Sequence, residues 1–201
     1  MRDLNTSGEI RQYPGSPWLA RKLMREGDTL VACELHPEDY RGLSQLFRSD
    51  EQAKILELDG WTALKSLLPP KERRGVILVD PPFEEPGEFD RMSRGLNEIH
   101  RRFATGSAIL WYPIKDPRAI RSFHAGIIKL GVPKVMALDC FVRAPSDPEV
   151  LNGTGLIILN PPFVLEEQLG RLLPYLRECL GQGAGAIFRI ERLSGDHLNS
   201  S

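Results

Sequence analysis

At 201 residues, with 41% hydrophobic and 26% charged side chains, the chain has the length and composition of one soluble α/β domain, and no apolar run approaches the ~18 residues of a membrane-spanning helix. Lysines and arginines (26) nearly balance aspartates and glutamates (27), and a formal net charge of −1 withholds any whole-chain electrostatic case for nucleic acid. Cys33, Cys140 and Cys179 form no CxxC pair, and His36, His100, His124 and His197 lack metal-ligand spacing, so neither a disulfide framework nor a metal is expected, and a reduced, cytoplasmic setting is.

The start, MRDLNTSGEI, has no apolar stretch of signal type. A helix is predicted over 16–27, with Ser16 as N-cap and Pro17 in its first position, then a strand over 29–35 and a helix over 37–48. Strand 53–58, helix 60–68, strand 75–80, helix 88–103, strand 107–113 and helix 116–131 continue the alternation. After strand 134–142 comes the one long loop, 144–154, followed by strand 155–160, helix 165–181 and strand 186–191. Gly27, Gly131 and Gly181 stand where helices should stop, and the tail 194–201 should fray. This rhythm predicts a single domain over 1–201, a mostly parallel central sheet flanked by helices, with several strands buried on both faces. Three basic clusters, Lys71/Arg73/Arg74, Arg101/Arg102 and Lys115/Arg118/Arg121, are candidates for a phosphate-facing surface or plain solvated faces.

In such a sheet, ligands bind beyond the carboxyl ends of the strands. Glu34, Asp59, Asp80, Pro113 and Asn160 all stand there. Asp80 opens the stretch DPPF (80–83), and its order has a chemical reading. The exocyclic amine of adenine is a poor nucleophile because its lone pair is conjugated into the ring. Two acceptors placed on its two hydrogens favour a tetrahedral nitrogen and free that pair. The Asp80 carboxylate supplies one, and the Pro81 carbonyl, held by the stiff Pro81–Pro82 segment, supplies the other. Phe83 offers a π-face for a base taken out of its stack. The plain structural reading is that Asp80 caps the next segment and the prolines end a strand.

A second copy, ILNPPF (158–163), carries Asn160 in place of the acid. An amide and a carboxylate both accept hydrogen bonds, so the chemistry alone does not choose. Asp80 is preferred because Glu34, Asp59 and Asp80 come after successive strands and should converge on one pocket, whereas Asn160 comes two strands later and is expected nearer the sheet edge. On the cofactor side, Glu34 has the place of a ribose-binding acid. Asp59 could accept from an adenine amine, with Gly60 allowing close approach and Trp61 stacking. GQGAG (181–185) comes after a helix and precedes a strand, so it reads as a helix stop, and no P-loop or nucleophile elbow occurs.

These residues resemble the 23S ribosomal RNA adenine-N6 methyltransferases of the RlmJ type. The matching stretches are YPGSPWLARKLMRE (13–26), ELHPEDY (34–40), RRGVILVDPPFE (73–84), RRFATGSAILWYPI (101–114) and GTGLIILNPPF (153–163). The resemblance implies a class I, Rossmann-like S-adenosylmethionine-dependent fold, with Asp80, Pro81, Pro82 and Phe83 engaging the target adenine and Asp80 also near the cofactor. It further implies Glu34 on the cofactor ribose, Asp59 and Gly60 near its adenine, and Ser16 near its methionine part. The family's first strand and glycine-rich loop lie in a longer N-terminal region to which nothing in this chain corresponds, so the match is to the C-terminal two-thirds. The expected partner is 23S ribosomal RNA and the expected state a monomer. A DNA adenine substrate, or an incomplete domain that binds RNA or a partner without catalysis, are the alternatives.

Overall fold

A computed structural model describes residue 5 and residues 9–194. The predicted tail beyond Ser194, with His197, lies outside the described residues. The chain divides into two compact units, Met1–Ala63 and Leu64–Ser201.

The first unit holds α1 (Ser16–Leu23), β1 (Leu30–Glu34), α2 (Pro37–Leu46), β2 (Ala53–Glu57) and the start of α3 (Gly60–Ser66). β1 and β2 pair in parallel, from Leu30 opposite Ala53 to Glu34 opposite Glu57. Contrary to expectation, Ser16 is not the N-cap of α1. Gly15 holds that place with an extended backbone (φ −73°, ψ 164°) and no side-chain bond caps the helix. Pro17, whose missing N–H costs nothing in a first turn, sets the start one residue earlier than predicted. The last turn of α1 is tied down by Arg21, whose Nε donates to Asp50 Oδ2 at 2.7 Å. The Asp50 carboxyl is held below its usual range mainly by that bond.

The second unit contains β3 (Val76–Val79), α4 (Glu88–Arg102), β4 (Ser107–Ile114), α5 (Pro117–Lys129), β5 (Val135–Phe141), β6 (Gly153–Leu159), α6 (Leu165–Leu180) and β7 (Ile187–Arg192). Its five strands run in the order β3-β4-β6-β5-β7. β3 and β4 are parallel, but β4–β6, β5–β6 and β5–β7 are all antiparallel. The expected mostly parallel sheet is therefore a mixed one. The cause is the loop 142–152, which carries no helix. A parallel return needs a crossover, so without one the chain turns straight back into β6, which inserts between β4 and β5.

Burial follows from this layout. β4 alternates, with Ala108, Leu110, Tyr112 and Ile114 buried and their neighbours half-exposed. The inward residues meet Met92, Leu96 and Ile99 of α4 and Ile120 and Ile127 of α5 in one apolar core. Among the described strands only β5 is buried along nearly all of both faces, so the expectation of several such strands was too broad. Tyr112 stands opposite Gly155, and Gly155 opposite Asp139. A Cβ at 155 would fall inside the Tyr112 ring, so the glycine lets the phenol lie across β6 and reach β5.

Candidate active site

In the first unit, the parallel register brings Glu34 and Asp59 to the same end of the β1–β2 pair. Each has a local task. Glu34 Oε1 accepts from the His36 N–H at 2.8 Å, beside the start of α2. Asp59 Oδ2 accepts from the Thr62 N–H at 2.7 Å and from the Thr62 hydroxyl at 2.8 Å, capping α3. These bonds fix where the two carboxylates sit. Ser16 opens α1, and the other end of that helix is held by Arg21 to Asp50, just before β2. Gly60, exposed, opens α3 directly after Asp59, and Trp61 is half-buried. An open hollow of about 730 Å³ in this unit is lined by Arg21, Leu46, Asp50 and Gln52. It belongs to the amino-terminal end of β2, away from the strand ends that carry Glu34 and Asp59.

In the second unit, DPPF comes directly after β3. Asp80 is exposed as a residue, yet the atoms packed around its carboxyl push its pKa upward. Pro81 is buried and Pro82 exposed. Phe83 holds φ +55°, a left-handed conformation that a bulky residue keeps only when its surroundings impose it. Those surroundings are aromatic: the Phe83 ring lies edge-on to Phe89 at 5.1 Å and to Trp111 at 6.1 Å between centroids. Gly87, with φ +84°, then turns the chain into α4.

The second copy has a different job. β6 is antiparallel to β4, with Leu159 opposite Ala108, so Asn160 lies beside the start of β4, at the end of the sheet opposite Asp80. Its amide donates to the carbonyls of Ala104 (2.9 Å) and Gly106 (2.8 Å), and its own carbonyl accepts from the Ser107 hydroxyl at 2.9 Å. Both amide hydrogens are spent on stitching a loop. Its φ of +48° suits asparagine, and Phe163 is fully exposed. The expectation that Asn160 lies nearer the edge is reversed: β6 is central and β3 is the edge strand, because β6 is the inserted strand.

Sequence reasoning gives no role to the residues behind Phe83. Phe89 packs on Phe123 (4.7 Å) and lies edge-on to Tyr112 (6.2 Å). The buried Tyr112 hydroxyl donates to Asp139 Oδ1 at 2.6 Å, and His124 Nε2 lies 2.9 Å from the same hydroxyl. With the phenol proton given to Asp139, that His124 nitrogen must be the donor. Burial lowers the His124 pKa despite the nearby Asp139 and Glu191, and burial with Asp139 raises that of Tyr112 far above its ordinary value. Arg189 Nε completes the set at 3.3 Å from Asp139 Oδ2. The one legible signal is the inward alternation of β4, which marks Tyr112 as core and Trp111 as outward.

Comparison with known proteins gives a consistent result. A family model described as "Ribosomal RNA large subunit methyltransferase D, RlmJ" matches residues 1–191. Ribosomal RNA large subunit methyltransferase J of Escherichia coli K12 is 39% identical over 180 residues, covering 90% of this chain and 64% of that protein. The Haemophilus influenzae protein of the same name is 36% identical over 188 residues, covering 92% and 67%. A crystal structure of a Legionella pneumophila protein superposes with a TM-score of 0.87 at 28% identity, covering 98% of this chain and 72% of that one. The chain thus spans just under two-thirds of the length of the E. coli relative. Over nearly all of its residues, it belongs to the RlmJ family of ribosomal RNA large subunit methyltransferases.

Proposed function

We propose that the protein transfers a methyl group from S-adenosylmethionine to the exocyclic N6 amine of an adenine in 23S ribosomal RNA, as a class I, Rossmann-like methyltransferase whose single domain includes residues 1–201. It works as a monomer in the cytoplasm. The observation that carries this reading is the loop after β3, where an acid with a raised pKa, two prolines and a phenylalanine held at φ +55° succeed one another at a strand end. The name of the relatives, ribosomal RNA large subunit methyltransferase J, supports the substrate class.

The residues of the first unit fit the cofactor. Two carboxylates at the ends of neighbouring parallel strands offer acceptors for a ribose diol and an adenine amine. Glu34 takes the ribose hydroxyls, Asp59 and Gly60 the adenine, and Ser16 the methionine part. When bound, the cofactor supplies a methyl group activated by a sulfonium. The Asp80 carboxylate and the Pro81 carbonyl accept the two hydrogens of the target amine, turning its lone pair out of conjugation. Pro82 stiffens the turn that aims that carbonyl, and Phe83 stacks against the base. The methyl group that the cofactor would supply would go to this freed lone pair, with sulfur keeping the electrons of the broken bond as the leaving group. A raised pKa makes Asp80 a better acceptor for the amine proton, which otherwise passes to solvent.

The test offers ribosomal RNA, duplex DNA and free adenine nucleotides to the full-length protein with labelled S-adenosylmethionine and identifies the product nucleoside. N6-methyladenine in ribosomal RNA alone is expected. Label in DNA or nucleotides only, or at another base position, would overturn the reading.

A further inference from the structure

Of the three basic clusters in the chain, the topology favours one as a substrate contact. Lys71, Arg73 and Arg74 lead into β3, and the Arg73 carbonyl accepts from the Thr105 hydroxyl just before β4. That cluster therefore lies at the amino-terminal end of these strands, away from Asp80. Arg101 and Arg102 end α4 and are both paired with Glu98, at 2.8 and 2.7 Å. Lys115, Arg118 and Arg121 come after β4, which runs parallel to β3, and so stand at the carboxyl end that carries Asp80.

The spacing suits a nucleotide. Val79 is opposite Leu110, so Asp80 is level with Trp111, and β4 runs on for four residues before Lys115. At ~3.3 Å per residue this is about 13 Å along the strand direction, so a nucleic-acid strand whose base is turned into the DPPF loop passes the cluster within a few nucleotides. The support is rigid. Buried Asn152 donates from its amide to the Lys115 carbonyl (3.0 Å) and from its backbone to Ile114 (2.8 Å). Asp116 caps α5 by accepting from the Arg118 N–H at 2.8 Å. Arg118, 82% exposed with its Nε 3.6 Å from Asp116 Oδ1, and Arg121, also exposed, project from the first turns of that helix, where its dipole adds positive potential. Glu84 and Glu85, both exposed, come directly after Phe83, and a polyanion avoids them.

From this layout we infer that Lys115, Arg118 and Arg121 form the surface that grips the phosphates of the RNA strand flanking the target adenine. The inference rests on the proposed RNA substrate. Phosphate contacts of this kind add affinity without sequence preference.

The experiment measures binding of a fluorescein-labelled RNA hairpin with adenines in its loop to the full-length protein, across a salt series. The variant Lys115→Ala/Arg118→Ala/Arg121→Ala should raise Kd at least ~30-fold at low salt and reduce the slope of log K against log salt by about 2, the sum of three phosphate contacts. Lys71→Ala/Arg73→Ala/Arg74→Ala should change Kd less than about threefold. Arg118→Lys/Arg121→Lys, which keeps the charges, should keep the slope. Wild-type binding by the first variant, or equal losses from both alanine triples, would overturn the surface. Asp80→Ala separates this from the methylation reading: if it methylated RNA normally that reading would fail, while the surface would still stand or fall by the two alanine triples.

Discussion

The loops after β3 and β6 begin alike, with Asp or Asn leaving a strand, two prolines and a phenylalanine. They end up doing opposite things. Asn160 spends both amide hydrogens on the carbonyls of Ala104 and Gly106, and its phenylalanine hangs in solvent. Asp80 is exposed with a raised pKa, and its phenylalanine is strained and packed among aromatic rings. What separates them is strand direction: β3 and β6 point opposite ways, so the same letters emerge at opposite ends of one sheet. A motif gains its chemistry from where the fold delivers it.

That contrast can be broken at each of its residues. The largest effect is expected at Asp80. Asp80→Ala should lower the methyl-transfer rate of the full-length protein at least ~100-fold, about 2.7 kcal/mol of lost transition-state stabilisation, without loss of fold. Asp80→Asn, whose amide oxygen still accepts, should lose less, and equal losses would remove the hydrogen-bonding account. Asn160→Ala should instead cost about 2 kcal/mol of stability in a urea titration, because two carbonyls lose their donors and alanine tolerates positive φ poorly. Its rate per folded molecule should hold.

Phe83→Ala should slow transfer about tenfold by removing a stacking surface, while Phe163→Ala should leave both rate and stability unchanged. A reversed pair of results would move the site to the other end of the sheet. The smallest effect concerns pH. The folded protein binds the Asp80 proton more tightly than the unfolded chain does, so this carboxyl makes stability fall as pH rises from its ordinary value through the raised one. Asp80→Asn should flatten that slope and slightly raise Tm at neutral pH, and a lowered Tm there would contradict the pKa direction.

Much of the architecture is legible in the sequence because it is local. Among the described residues, alternation and apolar runs locate the seven strands and six helices to within a few residues, since both signals are written in consecutive side chains. Strand direction is not legible, because it depends on which strand β6 joins after loop 142–152, a choice made by pairing far along the chain. The same holds for the Tyr112–Asp139 bond, which spans 27 residues and needs Gly155 between the partners. At the site, the preference for Asp80 over Asn160 rests partly on a wrong reason, nearness to the edge. The sounder reason, opposite ends of the sheet, requires the register.

The most direct measurement is made in cells lacking the gene and supplied with one variant each, scoring N6-methyladenine in 23S ribosomal RNA by mass spectrometry. The account predicts that the wild-type and Phe163→Ala proteins restore the mark and that Asp80→Ala, present at the same level, does not. Restoration by Asp80→Ala would contradict it.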